Sequence, residues 1–555
     1  MRKSIRRFRA VALVAAFALT AAACGGDAEE PGAQDTEPAG DVTETEEETA
    51  AEGQRVEGGT VVFGADQEPA IMNSFLEEGN LFANGLIAEA ILEGAYEVLP
   101  DFTYSPQLID GEAEVTEDPF TVTYNIKQEA TWSDGTPVTA EDFVFTFDTI
   151  MNEDYTITSR DGYDKITNAE VVDEKTVTFT YGEVFAPYRD LFDEILPKHL
   201  LEGEDFNTVW NDTLVGSGPY LMGEWTKGSQ VTLTKNENYW AETKPSIDEV
   251  VIRFIEDSQT QVQQLRGGEI DMFYPQPQLD LVDTVTALDT VEWEASLGPI
   301  WEHMDMNVAK PGLDKLYVRQ AMAHAIDRQA IVEQLIQPVV ADAVPLHNVI
   351  WMSNQPQYEP HYEQYSYDPA MAEQLLTDNG CEQGGDGIYS CDGDKLSFGF
   401  VFTAGNEARA LQFQIIQAQL REVGIEVTDE SGEAATVFGE VLTSKDWDIF
   451  AFAWVGSPDP FGGNTIYTCE GDLNYNNYCN EEVTDLINAT NVELDADARA
   501  DLYNQADALM AEDLDKLPLY QKPTFFAWNA NIVGPEDNAT QAGPFWNIEE
   551  WFLTE

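Results

Sequence analysis

The chain has 555 residues, with 102 acidic against 28 basic side chains and a formal net charge of −74. Such an excess of negative charge repels phosphate backbones and excludes a nucleic-acid partner. Hydrophobic residues make up 43% of the sequence, with 12 Trp, 21 Tyr and 28 Phe; this is ample for globular cores, and the length implies two or three domains.

The first segment reads "MRKSIRRFRAVALVAAFALTAAAC". Arg2, Lys3, Arg6, Arg7 and Arg9 precede an uncharged apolar run from Ala10 to Leu19 and then small residues. That is the order of a secretory signal peptide over 1–23, and its apolar run is shorter than the roughly 20 residues a membrane span needs. The small residues before Cys24 resemble a bacterial lipobox, with Ala21 where leucine is usual. The resemblance implies cleavage before Cys24 and lipidation of its sulfur. Residues 25–57 hold twelve acidic residues, one basic residue and almost nothing apolar. Such a segment cannot bury enough surface to offset its ordering entropy. Residues 24–57 are therefore expected to form a lipid anchor and a disordered acidic tether, holding an exported body at the cell membrane.

The folded body is expected to begin at "GGTVVFGAD" (58–66). "FTVTYNI" places Phe120, Val122, Tyr124 and Ile126 on one face, the period of a half-buried strand. "TVTFTY" (176–181) and "VVIRFI" (250–255) read the same way. Asp134-Gly135 supplies a turn, after which Thr139 caps a helix carrying Glu141 and Asp142 at its positive end. "VRQAMAHAIDRQAIVEQL" reads as one amphipathic helix with Val318, Met322 and Ile326 inward. "LQFQIIQAQLREVG" reads as another, with Phe413, Ile416, Leu420 and Val423 on one face and Gly424 at its C-terminal cap. Strands and helices mix without a repeating period, which is an α/β arrangement in several lobes. Beyond Cys24 the cysteines form two close pairs, Cys381/Cys391 and Cys469/Cys479, each enclosing a polar loop. In an exported protein this spacing favours local disulfides; the competing zinc reading would want ligands about two to four residues apart.

"TWSDGTPVTAEDFVFTFDTIMN" (131–152) resembles the most diagnostic stretch of the oligopeptide-, dipeptide- and nickel-binding receptors of ABC transporters, bacterial family 5. Further matches follow in the family's order: "EGAYEVL" (93–99), "ILPKHLL" (195–201), "GSGPYLMGEW" (216–225), "LRGGEIDMF" (265–273), "VRQAMAHAIDRQAIV" (318–332) and "KLPLYQ" (516–521). The resemblance covers 58–555. It implies a two-lobed, periplasmic-binding-protein type II-like α/β fold with an extra domain in one lobe. The first lobe is placed at 58–93, 213–305 and 526–555, the extra domain at 94–212 and the second lobe at 306–525, with crossings near Met306 and Phe525. The implied protein is a monomeric receptor and not an enzyme. It uses no cofactor or metal, takes a peptide or another small polar oligomer, and delivers it to ABC permease subunits.

In the family's peptide-binding branch, an aspartate three residues after a tryptophan holds the peptide ammonium. Here "FAWVGSPDPFGGN" (452–464) has Trp454, but Ser457 stands at that place and Asp459 follows. The anchor is thus either absent or moved to Asp459, which is an expected ligand contact with Trp454, Gly456, Ser457, Trp301 and Tyr520. Tryptophan faces also suit sugars, which keeps an oligosaccharide receptor open as an alternative. The nickel-binding branch is disfavoured because His199, His303, His324, His347 and His361 lack ligand spacing. A secreted hydrolase is the distant alternative, with neither HExxH nor GxSxG present to support it.

Overall fold

The computed structural model describes residues 55–275, 279–460 and 462–555. The expected signal peptide, Cys24 and nearly all of the acidic tether lie outside them. Structure begins slightly upstream of Gly58: Arg55–Val56 pairs antiparallel with the C-terminal strand Phe552–Thr554.

Two sheets organise the body. The first has seven strands in the order Val291–Glu294, Phe526–Asn529, Met272–Phe273, Thr60–Ala65, Glu249–Phe254, Gln230–Lys235 and Tyr220–Thr226. Its middle pair, Thr60–Ala65 and Glu249–Phe254, is parallel. Val250, Val251 and Ile252 are all buried, instead of alternating as the sequence suggests. A central strand covered on both faces has no solvent side to carry polar residues. The second sheet has five strands in the order Glu426–Asp429, Ser397–Val401, Ile449–Val455, Leu297–Met306 and Lys516–Pro523.

An antiparallel four-stranded sheet lies in the insertion between strands of the first sheet, in the order Glu114–Glu117, Phe120–Asn125, Thr176–Tyr181 and Ile166–Asp173. Its helix, Ala140–Ile150, starts where the Thr139 N–H donates to Asp142 Oδ2 at 2.8 Å. Asp142 Oδ1 also accepts from the Lys198 N–H at 2.9 Å, which ties "TAEDF" to "PKHL" in the fold.

The chain leaves the first sheet between Glu294 and Leu297 and returns between Pro523 and Phe526. The first crossing comes earlier than the expected Met306. Leu297–Met306 is hydrogen-bonded on both sides within the second sheet, and its apolar pattern cannot say which sheet it joins. The two crossings run side by side: the Thr524 N–H donates to Ser296 O at 2.9 Å and the Ser296 N–H to Thr524 Oγ at 3.1 Å.

One further expectation is corrected. The single helix over "VRQAMAHAIDRQAIVEQL" is two, Leu316–Ala325 and Arg328–Leu335. Asp327 breaks it by capping the second helix, its Oδ1 accepting from the Ala330 N–H at 3.0 Å. Helix Glu407–Glu422 buries Phe413, Ile416 and Leu420, and Gly424 after it has φ +77°, the left-handed region a glycine enters without penalty. Both disulfides form, Cys381–Cys391 and Cys469–Cys479. No helix among the described residues is long and apolar enough to cross a membrane.

Candidate functional site

A cavity of about 670 Å³ lies where the two halves meet. From the second sheet's side come Pro299 and Val455–Pro458, at the ends of adjacent strands. The opposite wall comes from Glu89 and Leu92 on and after helix Phe82–Glu89, from the Tyr96–Tyr104 hairpin, from Ile150–Tyr163, and from Arg189–Glu194. Thr540, Gln541 and Ala542 close it from the C-terminal segment. Apolar and aromatic side chains (Phe75, Tyr96, Phe102, Tyr104, Tyr163) alternate with carboxylates: Glu89, Glu97, Asp161, Asp190, Asp193 and Glu194.

The backbone that presents these carboxylates is unusual. Phe192 is fully buried at φ +61°, a left-handed conformation costly for an aromatic residue, and it is over-determined by its neighbours. Its N–H donates to Tyr163 Oη at 2.7 Å, and its carbonyl accepts from the Ala95 N–H at 2.7 Å. Gly94 lies so close beneath that a Cβ there would stand 2.1 Å from Asp193 O, which fixes glycine at this position. The turn packs Phe192 inward and leaves Asp190, Asp193 and Glu194 on the cavity wall.

Burial dominates the electrostatics. It pushes Glu97 up to about 8, with Glu549 and Glu93 adding to the shift. It pushes Asp190 up to about 8, with the charge of Asp459 on the second sheet's side adding to it. Glu89 is raised well above its ordinary range by burial among Glu97, Glu194, Glu549 and Asp193. Asp193 and Glu194 are raised for the same reason, although Asp193 is open to the water inside the cavity. A smaller pocket of about 150 Å³ shares Glu89, Glu97 and Gln107 with the main cavity and continues to Glu93, Trp240 and Glu549. It has no wall from the second sheet, so it extends the cleft without bridging it.

Of the residues expected from sequence, Gly456 and Ser457 line the cavity. The Ser457 hydroxyl is turned back onto Asp459 O, closing its own loop. Asp459 is 8% exposed and sits directly behind that wall; its Oδ2 accepts from Arg499 Nη2 at 2.6 Å, and its Oδ1 has no partner. Trp454 is not among the cavity-lining residues and stacks over Tyr475 with ring centroids 6.5 Å apart. Trp301 and Tyr520 are corrected to core residues. Trp301 packs on His303 at 4.6 Å, and Tyr520 donates to Gln412 Oε1 at 2.9 Å, both buried in the core cluster on the second sheet. Among the described residues no group of three His, Cys, Asp or Glu is placed to hold a metal ion.

Residues 103–475 match the family model for bacterial extracellular solute-binding proteins, family 5, middle region. The chain belongs to this family. It is therefore an extracytoplasmic solute receptor with the two-lobe α/β fold, and not an enzyme. The oligopeptide-binding protein OppA of Mycobacterium tuberculosis H37Rv is 26% identical over 491 residues, covering 86% of this chain and 82% of that protein. The oligopeptide-binding protein AppA of Bacillus subtilis is 26% identical over 522 residues, covering 91% and 93%. Among solved structures, the periplasmic EDTA-binding protein EppA superposes with a TM-score of 0.82 at 26% identity, covering 91% of this chain and 98% of that one.

The wall residues that sequence reasoning missed carry a signal after all. Glu89, Glu93 and Glu97 recur every four residues through "LIAEAILEGAYEVL", an otherwise buried apolar run. "YRDLFDEIL" likewise sets four charges among buried Tyr188, Leu191, Phe192 and Ile195.

Proposed function

We propose that this receptor captures peptides in the cavity between its lobes and delivers them to an ABC permease, while lipidated Cys24 and the tether hold it at the cell membrane. The observation that carries the reading is the cavity itself. It is walled from both halves, its roughly 670 Å³ lies in the 300–1,000 Å³ range of ligand pockets, and it mixes aromatic with polar lining. The paired crossings at Ser296 and Thr524 supply a place for the lobes to hinge, so that ligand contacts from both sides select the closed state. Family alone does not choose the ligand, since relatives on this fold are named for oligopeptides and for EDTA. A polycarboxylate such as EDTA would meet six carboxylates on the wall, which opposes that reading here.

Mass spectrometry of solutes released by denaturing the protein purified from its own host is expected to give a ladder of short peptides. A hexose-spaced series or a single polyanionic mass would overturn the peptide reading. Replacing Cys24 with serine is expected to shift the protein from the membrane fraction to the medium; unchanged membrane retention would remove the lipid anchor from the proposal.

A further inference from the structure

The charges on the cavity wall are one-sided in a way the peptide reading does not require. Six carboxylates face it against one basic side chain, Arg189. That guanidinium is already committed, donating from Nε at 3.1 Å and from Nη2 at 2.9 Å to Glu112 Oε2 and packing over the Tyr96 and Tyr188 rings. Lys127, the cation nearest Glu97, donates to Gln107 O at 2.6 Å and to Pro106 O at 3.3 Å. Among the described residues, no uncommitted positive charge reaches this wall.

A second observation is independent of that count. Asp190 Oδ1 accepts from the Tyr104 hydroxyl, but its Oδ2 is sealed from bulk water and has no donor. Near it from the other lobe, behind the cavity wall, is Asp459, whose Oδ2 is paired with Arg499 Nη2 at 2.6 Å and whose Oδ1 is also buried and unpartnered. Buried carboxyl oxygens nearly always have a hydrogen-bond partner, and once ionised a carboxylate can only accept. What is missing is a donor to the ionised Asp190, whose charge is offset only in part by the Arg499 guanidinium already held by Asp459.

We propose that the cavity selects solutes bearing alkylammonium or guanidinium groups, as in peptides rich in lysine or arginine, with Asp190 as the principal acceptor and Glu194, Asp193, Glu89 and Glu97 around it. This rests on the reading that the inter-lobe cavity is the ligand site. Tyr104, Tyr163 and Phe102 on the same wall give faces over which a cation or the methylene stem of a lysine can lie. The raised carboxylates let the empty cavity hold protons in place of a ligand, so a cation entering it displaces them.

The test is calorimetric binding of tri-lysine, tri-alanine, tri-glutamate and spermidine to the ligand-stripped mature protein, at low and high salt. Tri-lysine is expected to bind about 30-fold or more tightly than tri-alanine, with tri-glutamate excluded and the tri-lysine advantage shrinking in salt. Asp190→Asn and Glu194→Gln, both close in shape to the native residues, are expected to cut tri-lysine binding about tenfold each and to narrow that advantage. Their melting temperatures check that they fold. Equal affinity for tri-alanine and tri-lysine would overturn charge selection while leaving the cavity as the peptide site. Spermidine binding alone, lost in Asp190→Asn, would keep charge selection and remove the peptide reading. Binding of tri-lysine undiminished by Val455→Trp, which fills the cavity from the second lobe, would show that the site is elsewhere and overturn both. Failure of every cationic probe would overturn the inference.

Discussion

The ligand-free receptor is expected to lose thermal stability steadily as pH rises from about 5 to about 8 and to level off above that. Glu97 and Asp190 titrate in the folded protein near 8, against ordinary values of 4.5 and 3.8, and Glu93 and Glu549 near 7. Between those limits the folded chain holds more protons than the unfolded one, so each rise in pH favours unfolding. The groups facing them do not reverse the sign. Glu97 meets Glu549, Glu93 and Glu550 against Lys127 alone, and Asp190 meets Asp459 and Asp193 against the guanidinium of Arg499. Glu93 is partly relieved, accepting from Tyr239 Oη at 2.9 Å and Trp240 Nε1 at 2.7 Å, and so titrates lower than Glu97. Differential scanning calorimetry at pH 5, 6.5, 8 and 9 measures the slope. The triple variant Glu97→Gln, Asp190→Asn, Glu194→Gln is expected to flatten it, because amides do not titrate. The same slope in that variant would assign it to general repulsion within a chain of net charge −74. A cationic ligand is expected to lift stability most at pH 8, where the carboxylates are ready to ionise, and the lift is expected to fade toward pH 5.

Much of the architecture was legible because it is written locally. Alternation in "FTVTYNI" gave a strand that buries Phe120, Val122, Tyr124 and Ile126, and the spacing of the cysteines gave both bridges. What was not legible depends on pairing between distant segments. Nothing local distinguishes Leu297–Met306 as a strand of the second sheet, and with that strand Trp301 moves from an expected ligand contact into the core. The helix break at Asp327 was readable in principle as a capping residue, but apolar periodicity on both sides hid it. The site was hidden differently. In a chain with 102 acidic residues, Asp190 and Glu194 look like solvated surface; only the left-handed turn at Phe192 shows that they face a cavity. The family pattern drew attention to Asp459, whereas the fold surrounds the cleft with carboxylates contributed by another part of the chain.

Asp459 is where those two views give different outcomes. Its ion pair with Arg499 is buried on both sides, with side chains 11% and 10% exposed. Arg499 Nη1 is held by Glu493 O at 2.8 Å, and Tyr503 Oη donates to Pro460 O at 3.1 Å, so the pair fastens the loop 456–460 to helix Ala496–Asp513. Asp459→Asn strands a guanidinium in this setting and is expected to cost about 3–5 kcal/mol of stability in urea denaturation. Replacing both partners with leucine is expected to recover most of that, because an apolar pair of similar volume carries no unpaired charge. For ligand binding, Asp459→Asn is expected to weaken tri-lysine and N-acetylated tri-lysine by the same factor, since the loop and the cation opposite Asp190 are affected whatever the peptide's N-terminus carries. An anchor for the peptide ammonium behaves otherwise: Asp459→Asn would leave stability within about 1 kcal/mol and abolish only the free-amino form. Selective loss of the free-amino peptide would return Asp459 to the role its place after Trp454 suggests, and would mean that a ligand ammonium displaces Arg499 when the lobes close.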